Sequence, residues 1–255
     1  MRAIRIIAFN TFREIIRDRI LYGLVVFSLL LMGFSMILGQ LSFSEQVRIS
    51  MNFGLSAIHL GCVVLSIFVG STLVNKEIDK KTIMTLLVRP ITRTQFLLGK
   101  ALGLLIVNTV VMSGLAVVLI GVLLFLGATI NPTFFWAIFG ILLEGFVLLG
   151  ATLLFSTFSS PFMVVAFSTG IFLVGHWVGS LIFFAERGDN AGFKAMVAVL
   201  TKIWPNFEVL NWRAEAVYGD TLRSADILWA SSYSVGWFVF LIAITALAFR
   251  KKDFG

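Results

Sequence analysis

The sequence predicts an all-α membrane protein with six transmembrane helices, and three observations carry that prediction. Hydrophobic residues make up 59% of the 255 and charged residues only 13%, with a mean hydropathy of +1.00, too apolar for polar side chains to cover in water. Six runs reach the roughly 20 residues that a helix rising 1.5 Å per residue needs to cross a bilayer: Ile20–Leu41, Phe53–Val74, Ala101–Leu126, Phe134–Phe155, Phe162–Phe184 and Ile227–Phe249. These runs are continuous rather than alternating, which disfavours a strand barrel. An open sheet would leave backbone groups unpaired in lipid. The whole chain, 1–255, reads as a single transmembrane domain.

Residues 1–19 precede the first span. At 100° per residue, Ile4, Ala8, Phe9, Phe12, Ile15 and Ile16 share one arc, and Arg2, Asn10, Arg13, Glu14, Arg17 and Asp18 the opposite one. Arg5, Ile6 and Ile7 blur the division. The pattern predicts an amphipathic helix lying along the membrane interface. The apolar run after it exceeds the ~7–15 residues of a signal-peptide core and no small-residue cleavage site follows, so cleavage is not expected.

Lys and Arg set the orientation. Arg2, Arg5, Arg13, Arg17 and Arg19, then Lys76, Lys80, Lys81, Arg89, Arg93 and Lys100, then Arg250, Lys251 and Lys252 fall on one side of a six-span chain. The other side holds Arg48 and five residues of the long 185–226 segment. The positive-inside rule therefore places both termini in the cytoplasm, in a cytoplasmic (inner) membrane. The formal net charge of +7 reads as topology and contact with anionic lipid rather than as nucleic-acid binding.

Between spans two and three, residues 75–100 read NKEIDKKTIMTLLVRPITRTQFLLGK. Ile78, Ile83, Leu86 and Leu87 recur at roughly helical spacing, and the run stops at Arg89–Pro90, because proline lacks a donor and disfavours a helical residue before it. Thr92 then opens a Thr-x-x-Gln capping box with Gln95. The segment predicts a helix, a proline corner and a capped restart into span three; a solvated charged loop is the alternative. Asn131–Pro132 marks a short outer corner, and Ser159–Ser160–Pro161 a cytoplasmic corner with Ser160 as N-cap and Pro161 at the first helical position. Residues 185–226 mix apolar and polar residues below spanning length. Phe193–Trp204 and Asn211–Tyr218 predict short outer helices lying on or dipping into the leaflet and capping the bundle.

Glu144 is the one carboxylate within a predicted span. A charge there costs at least about 2.5 kcal/mol on insertion scales, so it is protonated, paired or facing water. It could line a substrate path or hold a proton, or form a hydrogen bond across helices; its candidate partners are Asn108, His59 and His176. His59 and His176 have no carboxylate or second histidine three or four positions on, which points to packed, hydrogen-bonded histidines and to no metal site. Cys62 is the sole cysteine, excluding a disulfide framework. No G-x-S-x-G or P-loop pattern occurs. Gly99-x-x-x-Gly103 and Gly175-x-x-x-Gly179 predict close backbone approach. Gly140, Gly145 and Gly150, five apart, spread around their helix and argue against one dimer seam.

Glu77, Thr82, Leu86, Leu87, Pro90–Ile91–x–Arg93 and Leu98–Gly99–Lys100 resemble the coupling segment of the type-2 (exporter-like) ABC transporter permeases, and the six-span layout resembles that family along most of the chain. Ser159–Ser160–Pro161 and Trp204–Pro205–Asn206–Phe207 are weaker echoes. Lys81 departs from the glycine the family commonly places before the threonine. The resemblance implies a dimer, with a second copy of the chain as partner, each copy resting a cytoplasmic coupling helix on a separate ABC ATPase. It implies Glu77, Thr82, Leu86, Pro90 and Arg93 as transmission contacts, and ATP and Mg held by the ATPase, with no cofactor on this chain and no catalysis by it. Two rival functions remain open at this stage. One is a mechanotransmission permease that drives an extracytoplasmic accessory protein through Trp212 and Tyr218; the other is a proton-coupled secondary carrier using Glu144.

Overall fold

The computed structural model describes residues 2–40, 45–72 and 92–251. Glu77, Thr82, Leu86 and Pro90, with Lys81 and Leu87, lie outside the described residues. The described residues hold helices and no strand. We number the helices α1 (Arg2–Ile16), α2 (Arg19–Gln40), α3 (Gln46–Val64), α4 (Arg93–Phe125), α5 (Pro132–Ser156), α6 (Pro161–Arg187), α7 (Ala191–Ile203), α8 (Arg213–Tyr218) and α9 (Ser224–Lys251). Helix α3 passes into a π-helical turn, Leu65–Val69, and runs on to Thr72.

Six of these helices are long and apolar enough to cross a membrane: α2, α3 with its extension, α4, α5, α6 and α9. The second begins at Gln46 and the third at Arg93, seven and eight residues ahead of the apolar runs. Apolar runs mark only hydrocarbon depth, whereas the helices add turns that hydrogen-bond regardless of side-chain polarity. Helices α3 and α5 form the core and are buried along most of their length. The other four turn residues such as Leu30, Val117, Phe162 and Leu247 outward, as a lipid-facing wall requires.

Capping fixes the start of α4. Thr92 Oγ1 accepts from the Gln95 amide and the Thr92 amide donates to Gln95 Oε1, both at 3.2 Å, so two otherwise orphaned donors are satisfied reciprocally. Pro132 and Pro161 occupy the first positions of α5 and α6.

Helix α1 packs on this capped start. A Cβ on Gly99 would lie 2.6 Å from Ile7 Cβ, and one on Gly103 would lie 2.6 Å from Thr11 Cβ and 2.8 Å from the Ala8 carbonyl. The two glycines therefore form the trough in which α1 rests. The buried residues of α1 are Ile7, Ala8, Thr11 and Ile15. Ile6 and Phe9 point outward, 61% and 53% exposed. Phe9 is exposed, as the lipid-facing arc read from the sequence requires, whereas Ala8 and Ile15 of that arc are buried against the protein together with Ile7. Periodicity finds apolar positions but not which neighbour each one meets.

The segment between α6 and α9 does more than cap the bundle. After α7 the chain turns inward at Pro205, and Phe207, Leu210 and Trp212 are buried. Gly175 of α6 meets the Phe207 ring, and Gly140 of α5 meets the Leu210 carbonyl. Irregular backbone at this depth is tolerated only when protein surrounds it and its polar groups are paired. Here the Phe207 amide donates to the Gly175 carbonyl (3.1 Å), the Asn206 amide to Tyr233 Oη (2.7 Å) and the Trp204 indole N–H to the Ile171 carbonyl (3.2 Å).

Candidate functional site: a buried His–Glu–His–Arg cluster

Three of the spans contribute a polar residue near their midpoints. Glu144 stands twelve residues from either end of Pro132–Ser156, and His59 thirteen from either end of Gln46–Thr72. His176 lies within two residues of the middle of Pro161–Arg187. All three meet in space. His59 Nε2 lies 2.9 Å and 3.0 Å from the two Glu144 carboxylate oxygens. The His59 and His176 rings stack with centroids 5.4 Å apart and planes 5° from parallel. His176 Nε2 stands 3.6 Å from Glu144 Oε1, beyond hydrogen-bond length.

The inward-turning segment supplies a cation. Arg213, the first residue of α8, places its NH1 group 3.0 Å from His59 Nδ1 and anchors its Nε on Asn211 Oδ1 at 2.8 Å. A guanidinium has donors only. His59 Nδ1 must therefore accept, which puts the ring proton on Nε2, where it is donated to Glu144. The result is a continuous Arg213–His59–Glu144 chain in which a neutral imidazole bridges a cation and an anion. Burial pulls Arg213 below the usual guanidinium range, and attraction to Glu144 and Glu208 opposes that pull.

Below His59 the polar stripe continues along α3 at helical spacing through Cys62 and Ser66. Asn108 of α4 donates from Nδ2 to Ser66 Oγ (3.2 Å), and the Cys62 thiol is directed at Asn108 Oδ1 (3.5 Å) and the Ile141 carbonyl (3.4 Å). Gly145 lets α5 approach both Cys62 and Asn108, while Gly150 faces Leu241 of α9. The three glycines of α5 thus serve three different neighbours. Ser66 lies inside the π-helical turn, a geometry that often marks functional sites.

Of the partners proposed for Glu144, His59 makes direct hydrogen bonds, His176 stands close without one, and Asn108 spends its amide on Ser66 and Cys62. Among the described residues, neither ring nitrogen of His176 has a hydrogen-bond partner, contrary to the expectation that both histidines would be bonded. Sequence reasoning missed Arg213 altogether: its charge sits in a stretch that reads like any outer loop. Arg93 is the first residue of α4. Trp212 is 5% exposed and packs on Gly140, whereas Tyr218 is 68% exposed. Trp212 thus faces the protein, where the sequence reading expected an outer contact, and Tyr218 is exposed.

A bundle of six apolar helices around a small polar centre, with no strand among the described residues, defines a multi-pass α-helical membrane protein. The family model for ABC-2 family transporter proteins matches residues 5–254, and the chain belongs to that family. It is accordingly a permease component of an ABC transporter, a class that works with an ATPase partner and is not itself the catalytic subunit. No curated protein matches the chain.

Proposed function

We propose that this chain converts ATP hydrolysis by a separate cytoplasmic ATPase into rearrangement of its mid-membrane cluster, moving a substrate across the membrane. In this reading the ATPase seats on residues 75–100 through Glu77, Thr82, Leu86, Pro90 and Arg93. ATP and Mg bind the ATPase, and a second permease copy completes the assembly. The loop lies in the cytoplasm with both termini, in the inner membrane.

One observation carries the proposal: both helices that flank the loop are anchored in the core. On one side α3 runs without a break from His59 through the π-helical turn to Thr72. On the other, α4 begins at a capping box and is held by α1 through Gly99 and Gly103, with Lys100 Nζ 3.4 Å from Glu14. A displacement of the loop has a stiff route to Glu144 through α3. The test is co-purification from membranes, with ATPase activity measured in reconstituted vesicles. Leu86→Arg and Pro90→Ala should reduce ATPase capture or stimulation several-fold without reducing the amount of permease in the membrane. An active chain with no ATPase bound, or full coupling in both variants, refutes the proposal.

The Arg213 connection favours a second reading, in which the same motion is delivered to an accessory protein on the outer side. Arg213 joins the inward-turning segment to the two most buried spans, and Tyr218 lies exposed one short helix away. Crosslinking from a photoreactive residue at 218 to a soluble extracytoplasmic protein, dependent on ATP, is the measurement that selects it.

A further inference from the structure

We propose that His59, His176 and Glu144 form a binding site for a divalent transition-metal cation, of which Zn2+ fits the donor types best. Residues far apart in sequence converge there from three spans. The chain has only two histidines, and both face Glu144, the one carboxylate near the middle of a span. One nitrogen or oxygen from each residue lies within 4.8 Å of the others. Zn2+ binds histidine nitrogen and carboxylate oxygen at about 2.0–2.2 Å, which sets tetrahedral donor atoms roughly 3.3 Å apart. The separations of 2.9 Å and 3.6 Å from Glu144 Oε1 to the two Nε2 atoms bracket that value. Two imidazoles with one carboxylate suit zinc and its neighbours rather than calcium or magnesium, which demand oxygen shells. The sequence argued against a metal because no carboxylate or second histidine lies one helical turn from either histidine; the companions come from other helices instead.

His176 is the independent pointer. Its two nitrogens are buried and without hydrogen-bond partners among the described residues, an arrangement that costs free energy unless something binds there. Beside it opens a recess of about 440 Å3 lined by His176, Gly179, Ser180, Phe183, Phe184 and Glu208. That recess gives the cation a way in and offers water as a fourth ligand.

Arg213 sets the condition for binding. While it donates to His59 Nδ1, the ring proton occupies Nε2, the nitrogen that would ligate. Metal binding requires that proton to move to Nδ1, where it can no longer coexist with the Arg213 hydrogen bond. The cation and Arg213 are therefore competitors for His59, and binding is coupled to release of the inward-turning segment.

The experiment uses the full-length chain with a tag free of histidine, stripped with chelator and placed in lipid nanodiscs. Zn2+ affinity is measured by dye competition, and Co2+ absorption reports the coordination sphere. One ion per chain is expected, with a tetrahedral Co2+ spectrum. His176→Ala and Glu144→Gln should each weaken binding at least tenfold, the former without loss of folding because His176 makes no hydrogen bond to lose. Arg213→Gln should tighten binding several-fold, a gain that a purely structural cluster does not predict. The proposal is overturned if the wild-type chain binds no Zn2+ at micromolar concentration, if His176→Ala leaves affinity unchanged, or if Arg213→Gln weakens it.

Discussion

A carboxylate at mid-span persists only when its charge is compensated or its proton retained, and here the compensation comes through an intermediary. Arg213 does not touch Glu144; His59 conveys its charge by accepting on one nitrogen and donating from the other. Removing the bridge leaves the buried Glu144 and the half-buried Arg213 facing a void. His59→Ala is expected to lower stability by about 3–5 kcal/mol, the cost of orphaning a buried ion. His59→Gln, which keeps one donor and one acceptor, should cost less. Glu144→Gln combined with Arg213→Gln should be less destabilising than the two single changes summed, because the double variant leaves no unpaired charge. Thermal unfolding of the purified variants in nanodiscs measures all five, and strict additivity would contradict the bridged arrangement. The sequence disclosed part of this site. Charge scarcity singled out Glu144, and the rarity of polar residues on spans narrowed its partners to three. Arg213 stayed hidden because loop composition says nothing about depth. His176 was misjudged because a residue without a partner looks in sequence like any other.

Local codes were legible among the helices and tertiary ones were not. The capping box at Thr92 and Gln95 and the proline at 161 act within four residues, so the structure repeats them as read. The burial face of α1 depends on Gly99 and Gly103, almost a hundred residues away, and periodicity alone gave Ala8 and Ile15 to the lipid face. Gly103→Leu would drive a side chain into the Ala8 carbonyl and Thr11, at a cost of about 1–3 kcal/mol for overpacking, relieved by lifting α1. A cysteine substituted at Ile7 should be protected from maleimide in the otherwise native protein and become reactive in the Gly103→Leu background; equal protection in both would show that α1 does not rest on this trough. The inward-turning segment was half legible, since its aromatics fit an interface as well as a core. Its depth separates two residues that the sequence treated alike. Trp212→Ala should cost about 3–5 kcal/mol as a buried aromatic, and Tyr218→Ala should stay within about 0.5 kcal/mol as a surface change. Denaturation midpoints in matched detergent read both.

At the scale of the molecule, one charge pattern and one burial pattern divide the work. Burial assigns α3 and α5 to the centre and leaves the other spans to face lipid or a second copy. Charge argues for a direction, because translocating short basic loops is unfavourable, so the side rich in Arg and Lys is expected to stay with the cytoplasm. Span count then fixes every loop from any one of them. The 185–226 segment and the 75–100 loop are separated by spans three, four and five, an odd number, and must lie on opposite sides. Residues 1–19 and the 75–100 loop are separated by two spans and must share a side. Asp189, at the turn between α6 and α7, and Asn10, on an exposed face of α1, are suitable reporters, and Cys62 is buried and will not compete for label. In intact cells, a membrane-impermeant maleimide should label Asp189→Cys at once and Asn10→Cys only after permeabilisation. The reverse result would put the 75–100 loop outside, beyond reach of any cytoplasmic ATPase, and would remove the basis for ATP-driven coupling while leaving the helical bundle and its polar centre as described.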